Sequence, residues 1–163
     1  MKKGLLLFVW MTCFMACHSS HLFYHIHNLP DGIWQQNNKM LFLADLEEII
    51  PQPEVLLLLR FNPNITADSM RLSVLIAPSI DNTLDYDNKE AIIEQETSIV
   101  FDQESYHPSN KAWDNVVDLE IPLTLPSDFS FDQIGTYAIE IEKQMPEGDL
   151  PLLYDVGLEI RHQ

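Results

Sequence analysis

Apolar and polar residues alternate with a period of two in several short segments of this chain, and each segment is bounded by Pro, Asn, Asp or Gly. That spacing fits a strand with one buried face and does not fit the 3.6-residue period of a helix. Val117, Leu119, Ile121 and Leu123 share one side, with Asp118 and Glu120 on the other. Tyr137, Ile139 and Ile141 alternate with Ala138, Glu140 and Glu142, and after a turn-like Met145-Pro146-Glu147-Gly148-Asp149, Val156, Leu158 and Ile160 alternate with Gly157 and Glu159. Leu72, Val74 and Ile76 form another apolar face, and 39–46 and 97–101 add two weaker strands. The unbroken apolar run 55–59 is short enough to be a strand covered on both faces. Only 89–96 has a helical look, and it fits a short strand equally well. With ten prolines as punctuation, the pattern predicts an all-β chain: a single antiparallel β-sandwich or jelly-roll-like domain.

The first twenty residues, MKKGLLLFVWMTCFMACHSS, follow a different rule. Lys2 and Lys3 precede twelve residues without formal charge, the layout of an export signal. A membrane-spanning helix needs about 20 apolar residues, so this stretch is too short to cross a bilayer. Phe14-Met15-Ala16-Cys17 resembles the bacterial lipobox, so residues 1–16 are expected to be a lipoprotein signal peptide and Cys17 the lipidated first residue of the mature protein, with a cleaved secreted protein or a cytosolic protein with an apolar start as the alternatives. One acyl chain binds membranes marginally, whereas the palmitate-type chains on such a cysteine would hold the domain permanently.

Removal of residues 1–16 leaves 147 residues, enough for one domain with a sizeable core. It also removes two of nine basic residues and no acidic one, so seven face 25 and the net charge falls to −18. Nucleic acid is excluded as a partner on that charge. Cys13 leaves with the signal and Cys17 carries the lipid, so no disulfide is available to staple the fold. The sequence thus divides into a signal at 1–16, a lipidated cysteine and polar tether at 17–28, and a β domain at 29–163.

Candidate chemistry is thin. His18, His21, His25 and His27 bring four of the six histidines into ten residues, and His25 and His27 would share one side of a strand. No Cys, Asp or Glu lies between Cys17 and Asp31 to complete a metal set, so a membrane-proximal linker is expected and no metal site. The acidic stretch 81–90 fails an EF-hand, because Glu90 stands where the loop needs glycine and Lys89 intrudes at a ligand position. Glycosidase-like carboxylate pairs, Glu140 with Glu142 and Asp118 with Glu120, are expected to be solvated strand faces. His107 and His162 have no visible partners. No nucleophile elbow, phosphate loop, zinc helix or Cys-x-x-Cys pair is present, so no catalytic residue and no cofactor is assigned. Tyr24, Trp34, Tyr106 and Trp113, all near turns, could stack on a sugar or a partner, or pack as partly buried aromatics.

The ends of the chain carry a resemblance. Gly135-Thr136-Tyr137, then Gln144-Met145, Leu150 and Asp155-Val156-Gly157-Leu158-Glu159-Ile160, resemble the end of the GldH family of gliding-motility lipoproteins of Bacteroidota. At the front, Tyr24 and Pro30-Asp31-Gly32-Ile33-Trp34 resemble that family's opening, and the segment 56–62, with Arg60 and Asn62, sits where the family has a strand ending in Arg and Asn. The chain departs from the family pattern at Pro146, where an Arg is common, and over 65–70. The resemblance implies a noncatalytic outer-membrane lipoprotein of the gliding machinery and the linked type IX secretion system, partnered by other envelope proteins of that machinery. Asp68-Ser69-Met70 is similar to the short O-glycosylation signal of the phylum, which marks Ser69 as a candidate acceptor, with an ordinary loop as the alternative. Surface-exposed lipoproteins of the phylum often carry acids just after the cysteine, and His18-Ser19-Ser20-His21 has none, so a periplasm-facing position is expected. A carbohydrate-binding or adhesin-type lipoprotein on the same sandwich is the competing reading.

Overall fold

The computed structural model describes residues 21–84, 93–101, 116–144 and 148–163. Within them lie thirteen strands, one 3-10 turn (Pro30–Gly32) and no α-helix. The strands are β1 (His21–Asn28), β2 (Ile33–Trp34), β3 (Lys39–Leu46), β4 (Ile50–Pro51), β5 (Pro53–Phe61), β6 (Ser69–Ile80), β7 (Thr83–Leu84), β8 (Ile93–Val100), β9 (Val117–Pro122), β10 (Ser130–Phe131), β11 (Gly135–Gln144), β12 (Leu150–Pro151) and β13 (Leu153–His162). Two antiparallel sheets carry the architecture. The first has the order β1-β13-β5-β9, and the second has β3-β11-β6, with β7 and β8 both pairing with β6.

The inner faces follow from the period of two. Val156, Leu158 and Ile160 of β13 stand beside Leu59, Leu57 and Val55 of β5. Opposite them, β11 contributes Tyr137, Ile139 and Ile141, β3 contributes Met40, Phe42, Ala44 and Leu46, and β6 contributes Met70, Leu72, Val74 and Ile76, all in one shared core. An all-β sandwich is therefore what the alternating segments form. The run 55–59 is covered on both faces only in part: outward-pointing Leu56 is as buried as its inward neighbours, whereas Leu58, also outward, is half-buried.

One end of the core shows how a buried polar group and a tight turn are accommodated. Lys143 continues the inward row of β11, and its buried ammonium donates to the carbonyls of Trp34 at 2.8 Å and Gly148 at 3.0 Å. Burial pushes this amine below the ordinary lysine value of 10.5, against the opposing pull of Asp149. The unfolded chain then holds the proton to higher pH than the folded one, so this group adds stability as pH rises toward 10.5 and loses it as pH falls. Replacing Lys143 with Met strands two carbonyls, at a cost of about 1–3 kcal/mol. Urea midpoints of parent and variant should diverge further as the pH is raised from neutral toward 10, and a constant gap would contradict the assignment. At the same end, the turn after β1 places Asp31 and Gly32 at positive φ (58° and 64°), and a Cβ on Gly32 would lie 2.8 Å from the Tyr154 ring. Glycine is required there both by backbone conformation and by space.

Two expectations are corrected. Residues 21–28 are not a tether: they form β1, paired along its length with β13. The sequence hides this strand because the positions in register with the inward row of β13 are Phe23, His25 and His27, and two imidazoles, one exposed and one half-buried, make that side look polar. His27 stacks edge-on against Phe42 at 4.7 Å and its Nε2 lies 3.1 Å from the Leu41 carbonyl, while His25 lies 6.1 Å from Phe42. Glu140 is not a solvated residue either, since it is 8% exposed and accepts a 2.8 Å hydrogen bond from Lys39. Of the ambiguous segment 89–96, residues 93–96 belong to strand β8. Cys17, His18, most of the acidic stretch 81–90, Tyr106, His107, Trp113 and the 145–147 part of the last turn lie outside the described residues.

Candidate functional site

The outward-pointing residues of the first sheet form rows set by strand register. One row is Asn28, Asp155, Arg60 and Asp118; the next is Ile26, Gly157, Leu58 and Glu120; the third is Tyr24, Glu159, Leu56 and Pro122. Gly157 has no side chain at the centre of this face, so the surface dips between Ile26 and Leu58. The result is a shallow groove of about 230 Å³, walled by Tyr24, Ile26, Leu58, Arg60 and Glu120. Tyr24 stands at its rim, 56% exposed.

Charge brackets the apolar floor. At one end Arg60 donates from Nε to Asp118 at 2.7 Å and from Nη1 to Asp155 at 3.3 Å, and Asn28 also donates to Asp155. The Asp118 hydrogen bond is the main reason the Arg60 guanidinium is held more firmly in its charged form, against partial burial. At the other end, buried Glu159 lies 2.7 Å from His21 Nδ1 and accepts from Arg161 at 3.4 Å, while Arg161 donates to Glu54 at 2.7 Å. Interior strand β13 thus carries two nearly buried carboxylates: Asp155 is held by side chains of both neighbouring strands, and Glu159 by His21 of β1 and by Arg161 of β13 itself. A face so organised offers an aromatic rim, an apolar floor and paired charges, which suits recognition of a partner surface.

The sequence-derived candidates separate in space. Tyr24 lies on the groove, whereas Trp34 is fully buried and its indole N–H donates to the Asn38 carbonyl at 2.7 Å. Asp118 and Glu120 both line the groove. Glu140 and Glu142 lie on the outer face of the other sheet, sharing Lys39 at 2.8 and 3.3 Å, and the Glu140 hydrogen bond is the first cause of a raised Lys39 value. Ser69 is exposed at the first position of β6, opposite Val100. His162 lies 3.1 Å from Glu48. Among the described residues no three His, Cys, Asp or Glu side chains converge as a metal site, and no helix is long and apolar enough to cross a membrane.

Sequence reading missed Asp155, Arg161 and the role of Gly157. A glycine in the middle of a strand is the one usable signal, since it marks a close approach. A Cβ at Gly157 would lie 2.9 Å from Ile26, 3.0 Å from the His25 carbonyl and 3.2 Å from Leu58 Cβ. Because the carbonyl belongs to the β1 ladder, it cannot move aside freely. Gly157→Val should therefore cost about 1–3 kcal/mol and fill the groove; an unchanged urea midpoint would contradict this packing.

No family model, curated protein or solved structure matches the chain.

Proposed function

We propose that the mature protein is a noncatalytic outer-membrane lipoprotein, anchored through Cys17 and facing the periplasm, that serves as a subunit of or accessory to the gliding-motility and type IX secretion machinery. The observation that carries this reading is where three of the family-like segments lie. Tyr24 of the front, Arg60 of the middle segment and Asp155 through Ile160 of the tail are far apart in sequence, yet they belong to the adjacent strands β1, β5 and β13. Their outward residues line one groove. Residues that resemble that family's at separated positions and converge on one surface support a common docking face.

Chemical cross-linking in native membranes tests the proposal. Envelope proteins of the machinery should be captured by the parent and lost with Tyr24→Ala combined with Glu120→Lys, both exposed positions. The aromatic rim beside Arg60 and Glu120 also suits a sugar ring, the competing reading. Binding of oligosaccharides to the purified domain, with no machinery protein captured, would favour that alternative.

A further inference from the structure

Cys17 precedes the first residue of β1 by only four peptide units, which span at most about 14 Å even when fully extended. A tether running to residue 28 would have allowed roughly 40 Å on the same scale. The domain therefore cannot stand away from the lipid that holds Cys17.

The end of the sandwich that receives this chain is defined by register. His21 opens β1 there; Leu46 closes β3 opposite Gly135, which opens β11; His162 stands opposite Pro53, which opens β5. β6 runs past Pro78, the partner of Tyr137, to finish at Ile80. Three of the six large apolar side chains that are exposed among the described residues sit at this end: Ile49 at 56%, Ile80 at 54% and Ile134 at 68%. Of the others, Tyr24 and Leu43 lie on sheet faces and Val100 opposite Ser69 at the far end. Two of the three isoleucines are presented on braced turns. Ile50 beside Ile49 is fully buried in the core, and Tyr137 donates from its hydroxyl to Asp132 and accepts from the Gln133 amide, fixing the turn before Ile134.

We infer that this end of the sandwich rests on the phospholipid surface, with Ile49, Ile80 and Ile134 at headgroup depth, an inference that rests on the lipid anchor at Cys17. Exposed isoleucines gain from leaving water at that depth. The neighbouring carboxylates of Glu47 and Glu48, both exposed, limit how deep the end can go. The centre of the groove, at the Ile26–Gly157 pair, then lies about five residues up the strand, roughly 17 Å from the point of entry. A partner would be engaged close to the membrane, from the side.

The test uses the full lipidated protein in vesicles of phosphatidylethanolamine and phosphatidylglycerol. With the Cys17 sulfur blocked by lipid, Ile134→Cys, Ile49→Cys and, at the far end, Gln36→Cys each provide a single thiol for a fluorophore. Phospholipid carrying a headgroup nitroxide should quench the labels at 134 and 49 at least about twofold more than the label at 36. Equal quenching at both ends, in protein whose intact mass includes the acyl chains, overturns the orientation and leaves the anchor standing. A mass without acyl chains overturns the anchor itself and this inference with it.

Discussion

Leu158→Asp should abolish the fold. Leu158 is fully buried in the middle of β13, with His25 of β1 and Leu57 of β5 in register on either side of it. On β5 and β13 its inner-row neighbours Leu57, Val156 and Ile160 are apolar, so the substitution buries a carboxylate in the core at a cost of several kcal/mol. The whole stability of a domain this size is about 5–15 kcal/mol, and the described residues contain no cysteine to cross-link the remainder. Steady-state abundance in the host should collapse, with activity falling in step, while Leu158→Met retains both because it conserves volume. Thermal melting followed by circular dichroism checks the claim directly. A cooperative melt of the Asp variant within a few degrees of the parent would contradict the assignment of this row to the core.

Cys17→Ser should eliminate acyl labelling and release the protein from the membrane fraction. The anchor supplies nearly all membrane affinity in this account, because a domain with a net charge of −18 gains nothing from anionic headgroups. Cys13 cannot substitute, since it belongs to the segment that the lipobox assigns to the signal peptide. Metabolic labelling with palmitate, followed by fractionation, measures both effects. Labelling that survives the substitution would place the lipid elsewhere.

The core was legible because its strands obey the simplest pattern available: one buried face, a period of two, and turns marked by Pro, Asn, Asp or Gly. β13 and β11 could be read almost residue by residue. β1 could not, because its inward imidazoles stack on Phe42 of a strand whose proximity depends on topology. Glu140 failed for a related reason. A carboxylate on an alternating strand reads as solvated, and only the pairing of β11 with β3 brings Lys39 beside it.

The groove was less legible still. Tyr24, Asp118 and Glu120 were visible as residue types suited to a surface, but a groove is a property of register across four strands, and register is not written in any one of them. Arg60 matters through Asp118, 58 positions away in sequence, and Asp155, 95 away. The consequence for function is that the strand expected as a linker supplies the rim of the groove and leaves only four peptide units between itself and the proposed anchor at Cys17.

Anchorage and function can be separated by one gene replacement. The native gene is exchanged for one encoding the same mature domain behind an ordinary export signal with Cys17→Ser, so that a soluble, lipid-free protein accumulates in the periplasm. Type IX cargo release, and colony spreading where the host glides, are then measured at matched protein abundance. An anchored, noncatalytic subunit predicts that both remain at the level of the deletion strain although the domain is folded and present. Restoration of cargo release to the parental level by the soluble domain would contradict it.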